Sequence, residues 1–293
     1  MDTQRTTNYC LRPLWTTACA FAALTLAPLS YAYAPLNTDD AGTVGHKTNQ
    51  IELYGSFAKE YGAAGEQIDP TSATVDYEGG GAVRAAPFTY TRGITDELDA
   101  FIGATYYGSP KGSFSSVTNY SFGLKWRFYG DGETGLSLAL KPQVILPATN
   151  AQQNYGLGNA ALNYGVIAIA SYFWEEAELH ANLAYLRAPY NTSQSVGFSN
   201  DPNRTNLYSV SIAPVWRVTP QFKLALDTGI NTNPVVADQS LINYGMVAAI
   251  YSPAKTLDLG LSFQRYAANF GSVFSGSGAY TNRIQAGVTW RFD

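Results

Sequence analysis

Charge is scarce in this 293-residue chain. Asp, Glu, Lys and Arg make up 14 % of it, against about 25 % in ordinary soluble domains. Disorder is excluded, because it needs high charge and few aromatics, and aromatics here reach 14 %. A coiled coil, rich in Glu, Lys and Leu, is excluded by the same composition. Eighteen basic against 22 acidic residues give a net charge of −4, so no basic footprint for nucleic acid exists. Cysteine occurs only at Cys10 and Cys19. Beyond residue 32 the chain therefore has no disulfide, no thiolate nucleophile and no Cys-ligated metal. No G-x-x-x-x-G-K-[ST] is present, which removes the usual nucleotide site. Beyond residue 34 no apolar run approaches the 18 residues of a membrane helix.

The one long apolar stretch, Leu14 to Leu29, follows Arg5 and Arg12 and precedes Ser30-Tyr31-Ala32 and Ala32-Tyr33-Ala34. A positive start, an apolar middle and an A-x-A-like end read as a secretory signal over residues 1–32, or to 34. An anchor helix fits less well, because Thr16, Thr17, Thr25, Pro28 and Ser30 interrupt a span already at minimum length. Cys19 lacks the upstream leucine of a lipoprotein site. Removing Arg5, Arg12 and Asp2 leaves 16 basic and 21 acidic residues.

What is present is period-two alternation. Phe122, Leu124, Trp126 and Phe128 alternate with Ser121, Gly123, Lys125 and Arg127. Leu257, Leu259, Leu261 and Phe263 alternate with Asp258, Gly260, Ser262 and Gln264. Each such segment has one apolar and one polar face. Twelve are expected, at 48–60, 81–92, 97–108, 118–129, 134–146, 159–172, 176–188, 204–217, 221–231, 241–252, 257–269 and 280–292. Arg84 and Pro87 make the second the weakest. Connections alternate between short (93–96, 130–133, 173–175, 218–220, 253–256) and long ones such as 61–80 and 189–203. Segments of about 10–13 residues, with tight turns at one rim, predict an all-β fold, a transmembrane antiparallel up-and-down β-barrel of about 12 strands.

Tyr90, Phe128, Tyr129, Tyr172, Phe173, Trp174, Trp216, Phe222, Tyr251, Trp290 and Phe292 sit beside the short turns or at the chain end, as an interfacial girdle would. A soluble two-sheet sandwich would also alternate, but would scatter its aromatics through the core. Many outer-membrane barrels end on a Phe read by the assembly machinery; here Asp293 follows Phe292.

The segment Pro35-Leu36-Asn37-Thr38-Asp39-Asp40-Ala41-Gly42-Thr43, with Gly45 and Gln50-Ile51-Glu52, resembles the bacterial outer-membrane family labelled MetA-pathway of phenol degradation. Leu140-Lys141-Pro142, Leu146-Pro147 and Gly156-Leu157-Gly158-Asn159 agree with it. Ala148-Thr149 stand where the family often has Thr-Gly. The resemblance implies a transporter-like barrel in the bacterial outer membrane, near pathways for aromatic compounds, and leaves the substrate open.

With the apolar face turned to lipid, the lumen holds Lys125, Arg127, Lys141, Arg217, Lys223, Arg283 and Arg291, against Glu52, Asp99, Glu178, Asp227 and Asp258. Asn163, His180, Asn182, Gln143, Gln264 and Gln285 join them. Such charges either bias ion selectivity or pair and fill the barrel. The selectivity candidates are Lys125, Arg127, Lys141, Lys223, Asp227, Asp258, Arg283 and Arg291. Residues 33–47 are polar and loop-like. Either they hang free in the periplasm or they plug the mouth, with Asp39 and Asp40 meeting Arg127, Arg283 or Arg291.

Enzymatic work finds little support. A barrel lipid hydrolase needs a Ser beside a His base, and His180 is followed by Ala181-Asn182 without the His-x-Ser of such enzymes. Asp39-Asp40 falls short of the 6–8 oxygens of a Ca²⁺ site, so neither metal nor cofactor is expected. The expected function is a passive channel for small solutes, with aromatic or hydrophobic ones implied by the resemblance. A closed structural or surface-interaction barrel stands second, and a lipid-modifying barrel enzyme third. Expected partners are outer-membrane lipid, the assembly machinery and small solutes; the residues say nothing of oligomeric state.

Overall fold

The computed structural model describes residues 34–61, 82–108, 113–197, 202–236, 239–276 and 278–293. The expected signal at 1–32 and nearly all of the connection at 61–80 lie outside them. Twelve strands form: β1 (Asn49–Tyr61), β2 (Ala82–Gly93), β3 (Leu98–Tyr107), β4 (Val117–Tyr129), β5 (Gly135–Ile145), β6 (Asn163–Phe173), β7 (Ala177–Arg187), β8 (Asn206–Thr219), β9 (Phe222–Thr232), β10 (Leu241–Ala254), β11 (Leu257–Ala267) and β12 (Tyr280–Phe292). Each pairs antiparallel with the next, and β1 closes on β12 from Asn49↔Phe292 to Tyr61↔Tyr280. Closure leaves no unpaired edge, which an apolar solvent would penalise heavily.

Alternation then sorts the side chains. On β4, Phe122, Leu124, Trp126 and Phe128 are 44–51 % exposed, while Ser121, Lys125 and Arg127 between them are buried. The same holds around the ring, with Leu183, Val210, Val247, Leu261 and Ile284 all more than half exposed. This is the apolar belt that transmembrane barrels present to lipid. Near the short turns, Trp126 and Phe128, Tyr172 and Trp174, and Trp290 and Phe292 pack ring against ring at 5.7, 4.3 and 4.5 Å. Three register shifts fall at the same rim, between Arg127/Tyr129, Arg217/Thr219 and Tyr251/Ala254, where bulges let twisted strands turn tightly.

The structure departs from expectation in three places. Phe173 does not join the girdle; it is buried, edge-on to His180 at 5.7 Å, because alternation from Tyr172 turns it inward. The inner face of β6 carries Ile167 and Ile169, packed with Ala41, Ala139 and Ala184, so this strand is apolar on both sides. β6 also begins at Asn163 rather than 159, since the preceding residues serve a short helix, α1 (Asn150–Asn154). Thr149 and Gln152 form a capping box at its start. Buried Gln153 donates to the carbonyls of Asn191 and Ser195 and accepts from the amides of Ala160 and Asn191. One side chain thus ties two long connections together. A second helix, α2 (Phe270–Ser275), is capped by Asn269 and stopped by Gly276 in the left-handed region.

Candidate functional site

The short-turn end of the lumen is crossed by the leader, residues 34–47. At the rim, Lys47 N–H donates to the Gly93 carbonyl and Gly93 N–H to that of Thr48. Further in, Val44 N–H points at both Asp99 oxygens, 3.1 and 3.3 Å away. Ala41 N–H donates to Ser171 Oγ at 2.8 Å. On the far wall, Asn37 and Thr38 N–H groups donate to Asp227 at 2.6 and 2.9 Å. The Thr38 and Tyr244 hydroxyls complete the shell of Asp227 at 2.8 Å each. Leu36 is buried among Ala213, Val215, Ala225, Met246 and Ala248, an apolar patch of the inner wall. Arg283 donates to Asn37 Oδ1 at 2.8 Å.

Asp39 is the centre of this arrangement. Its two oxygens are divided between Lys125 Nζ at 3.1 Å and Lys141 Nζ at 2.6 Å. Asn182, with its amide turned to satisfy both bonds, accepts from Asp39 N–H at 2.6 Å and donates to the Asp39 carbonyl at 3.0 Å. Burial alone would raise the Asp39 pKa, but the two ammonium groups outweigh it and hold the carboxyl below its ordinary value of 3.8. Asp40 is looser, 3.7 Å from Lys125 and accepting from Gly42 N–H.

The expected arginine partners of the acidic pair are thus replaced by lysines, and depth explains it. Arg127 lies two residues from the end of β4 and donates to the Asp96 carbonyl of a rim turn. Arg291 lies at the end of β12 and binds Asp258 at 2.8 Å and Gln50 at 2.9 Å. Lys125 and Lys141 sit deeper, level with Asp39. Of the other candidates, Lys223 meets Glu178 at 2.9 Å, which also takes Arg217 at 2.7 Å and lies 3.3 Å from His180 Nε2.

Ser171 was not singled out by the sequence, because it stands on the largely apolar inner face of β6. It sits 2.9 Å from His180 Nδ1. The order Ser171, His180, Glu178 resembles a hydrolase relay, but the Ser171 oxygen is covered by Ala41 and the residue is 1 % exposed. The pairing of Ser171 with His180 across β6 and β7 was the available signal. Among the described residues no group of three His, Cys, Asp or Glu is placed to hold a metal ion.

Beside Asp39, toward the short turns, lies a cavity of about 640 Å³. Its walls carry Asp39, Lys125, Lys141, Arg217, Lys223, Asp99 and Asp258, with Phe101 and Phe173 as apolar panels. The leader's Asp39 and Asp40 add two carboxylates to a lumen wall that carries seven basic residues against Glu52, Glu60, Asp99, Glu178, Asp227 and Asp258.

No protein-family model matches the chain, and no curated protein matches it. Solved structures do. An outer-membrane channel from Pseudomonas putida F1 aligns over 86 % of this chain and 98 % of its own, at 14 % identity and a TM-score of 0.56. The NanC porin covers 80 % and 98 % at 9 % identity and 0.49, and the KdgM porin 83 % and 99 % at 8 % and 0.45. At such identities the likeness is one of fold.

Proposed function

We propose that this barrel is a passive channel of the bacterial outer membrane for small solutes, stoppered by its own leader. The observation that carries the reading is the seat of Asp39 between Lys125 and Lys141, beside a polar cavity that the leader walls off. A structural filler would be served by apolar side chains, which fill a barrel with less desolvation cost than buried ions. The apolar belt takes lipid, and the β12 end is the surface for the assembly machinery. The resemblance to the phenol-degradation family tilts the solute toward small aromatic compounds. The charged walls require such a solute to carry a polar group, while Phe101 and Phe173 accept its apolar part.

A closed structural barrel is the second reading, favoured by the bonds that hold the leader at both walls. Planar-bilayer recording separates the two. The mature protein is expected to give small or rare current steps, and the same protein without residues 34–47 larger ones. Removing Asp39 and Asp40 leaves seven basic against six acidic lumen residues, so the reversal potential in a salt gradient should move toward anion preference. Inserted barrels that stay silent in both forms would establish the closed reading.

A further inference from the structure

The Asp39 carboxylate has the surroundings of a bound ligand. Each oxygen has its own ammonium partner, one from β4 and one from β5. Both lysines are nine-tenths or more buried, and both reach the site from the rigid barrel wall rather than from loops. Lys141 also lies over the buried Phe101 ring, 5.0 Å from its centre, and Phe101 is part of the cavity wall beside the charged pair. Asp39, both lysines and Phe101 all face the same cavity of about 640 Å³, far larger than the roughly 30 Å³ share of one water. The carboxylate reaches these partners from a segment that is not a strand, attached to the wall by hydrogen bonds to Asp227, Ser171 and Asn182 and by the packing of Leu36 and Ala41.

We propose that Asp39 is an internal stand-in for a solute, and that Lys125 and Lys141 form a binding site for small monocarboxylates, with Phe101 in the wall beside an aryl or alkyl tail. This deepens the channel reading and rests on it for its physiological sense. The leader and the solute carboxylate then compete for one pair of cations. Entry of the solute and withdrawal of Asp39 become the same exchange, in which neither lysine is left uncompensated in the low-dielectric lumen. An anion is thereby the key to a stopper that an uncharged compound of the same shape would leave in place.

The test is calorimetric binding of benzoate, with benzamide as the uncharged control, to the full mature protein in detergent. Wild type is expected to bind benzoate weakly, because the competent state is a minor fraction. D39A should bind it about tenfold or more tightly once that competitor is gone, and benzamide no better than before. The D39A/D40N form removes the neighbouring carboxylate that could swing onto Lys125, and should bind at least as well. Adding K125Q and K141Q should abolish the gain. If D39A destabilises the barrel, benzoate but not benzamide should restore its heat resistance, and D39N supplies a form of matched size. Benzoate binding D39A and D39N no better than wild type, in barrels shown to be folded, would overturn the site. Binding without current in bilayers would uphold the site while removing the channel reading. Current without benzoate binding would do the reverse.

Discussion

Asp39 and the two lysines are a three-membered ion cluster with side chains 4–11 % exposed, and its energetics are asymmetric. Replacing Asp39 by Ala takes the carboxylate from two buried ammonium groups at once and leaves Lys125 the looser Asp40, whereas replacing Lys141 by Met leaves Asp39 on Lys125. Breaking a buried pair by removing one partner costs about 3–5 kcal/mol, so D39A should lie within that range and K141M below it. Urea unfolding of the protein in lipid vesicles measures both, and equal losses would contradict the division of Asp39 between two cations. The pH dependence follows from the lowered Asp39 pKa. A group with a depressed folded pKa contributes fully above its unfolded value and loses that contribution as pH falls through the folded one. The leader should therefore stay latched through neutral pH and loosen only as pH drops below about 3.8, the ordinary value. Parity and residue type made Asp39, Lys125 and Lys141 legible in the sequence as candidates. Their pairing was not, because it depends on depth along the barrel axis, which alternation does not report.

At the scale of elements, strands and turns were legible to within a few residues, since a lipid-facing row must alternate and a tight turn must break it. The helices α1 and α2 were not, because five or six residues are too few to show a 3.6-residue period. The inner face of β6 misled for another reason. Ile167 and Ile169 are apolar because Ala41 of the leader packs on them, a tertiary demand that leaves both faces of the strand alike. The leader's seat at the rim depends on backbone approach. A Cβ on Gly93 would run into the backbone carbonyl of Gly45. Only a residue without a side chain fits there. Gly93→Ala should therefore push the leader off the rim while leaving the strands paired. Lys47 is exposed and adjoins this contact, so trypsin should cut after it faster in the variant than in wild type. Unchanged cleavage would show that the leader is held by its deeper contacts alone.

For the whole molecule, one inversion governs the distribution of residues: polar groups inside, apolar groups outside. Val247, at the middle of β10, is 53 % exposed, and its neighbours on the outer face are likewise apolar. In a bilayer that position lies near the midplane, where an arginine costs about 2–4 kcal/mol. In a soluble protein the same exchange at an exposed site would change stability by about half a kcal/mol or less. Thr91 stands on the opposite face, in the cavity wall with Asp99, and an arginine there meets water and carboxylates. V247R should thus impair folding into vesicles far more than T91R, although it is the more exposed of the two positions. That ordering cannot come from a water-soluble barrel, whose tolerance would run the other way. Equal or reversed costs would require the apolar belt to be covered by something other than lipid.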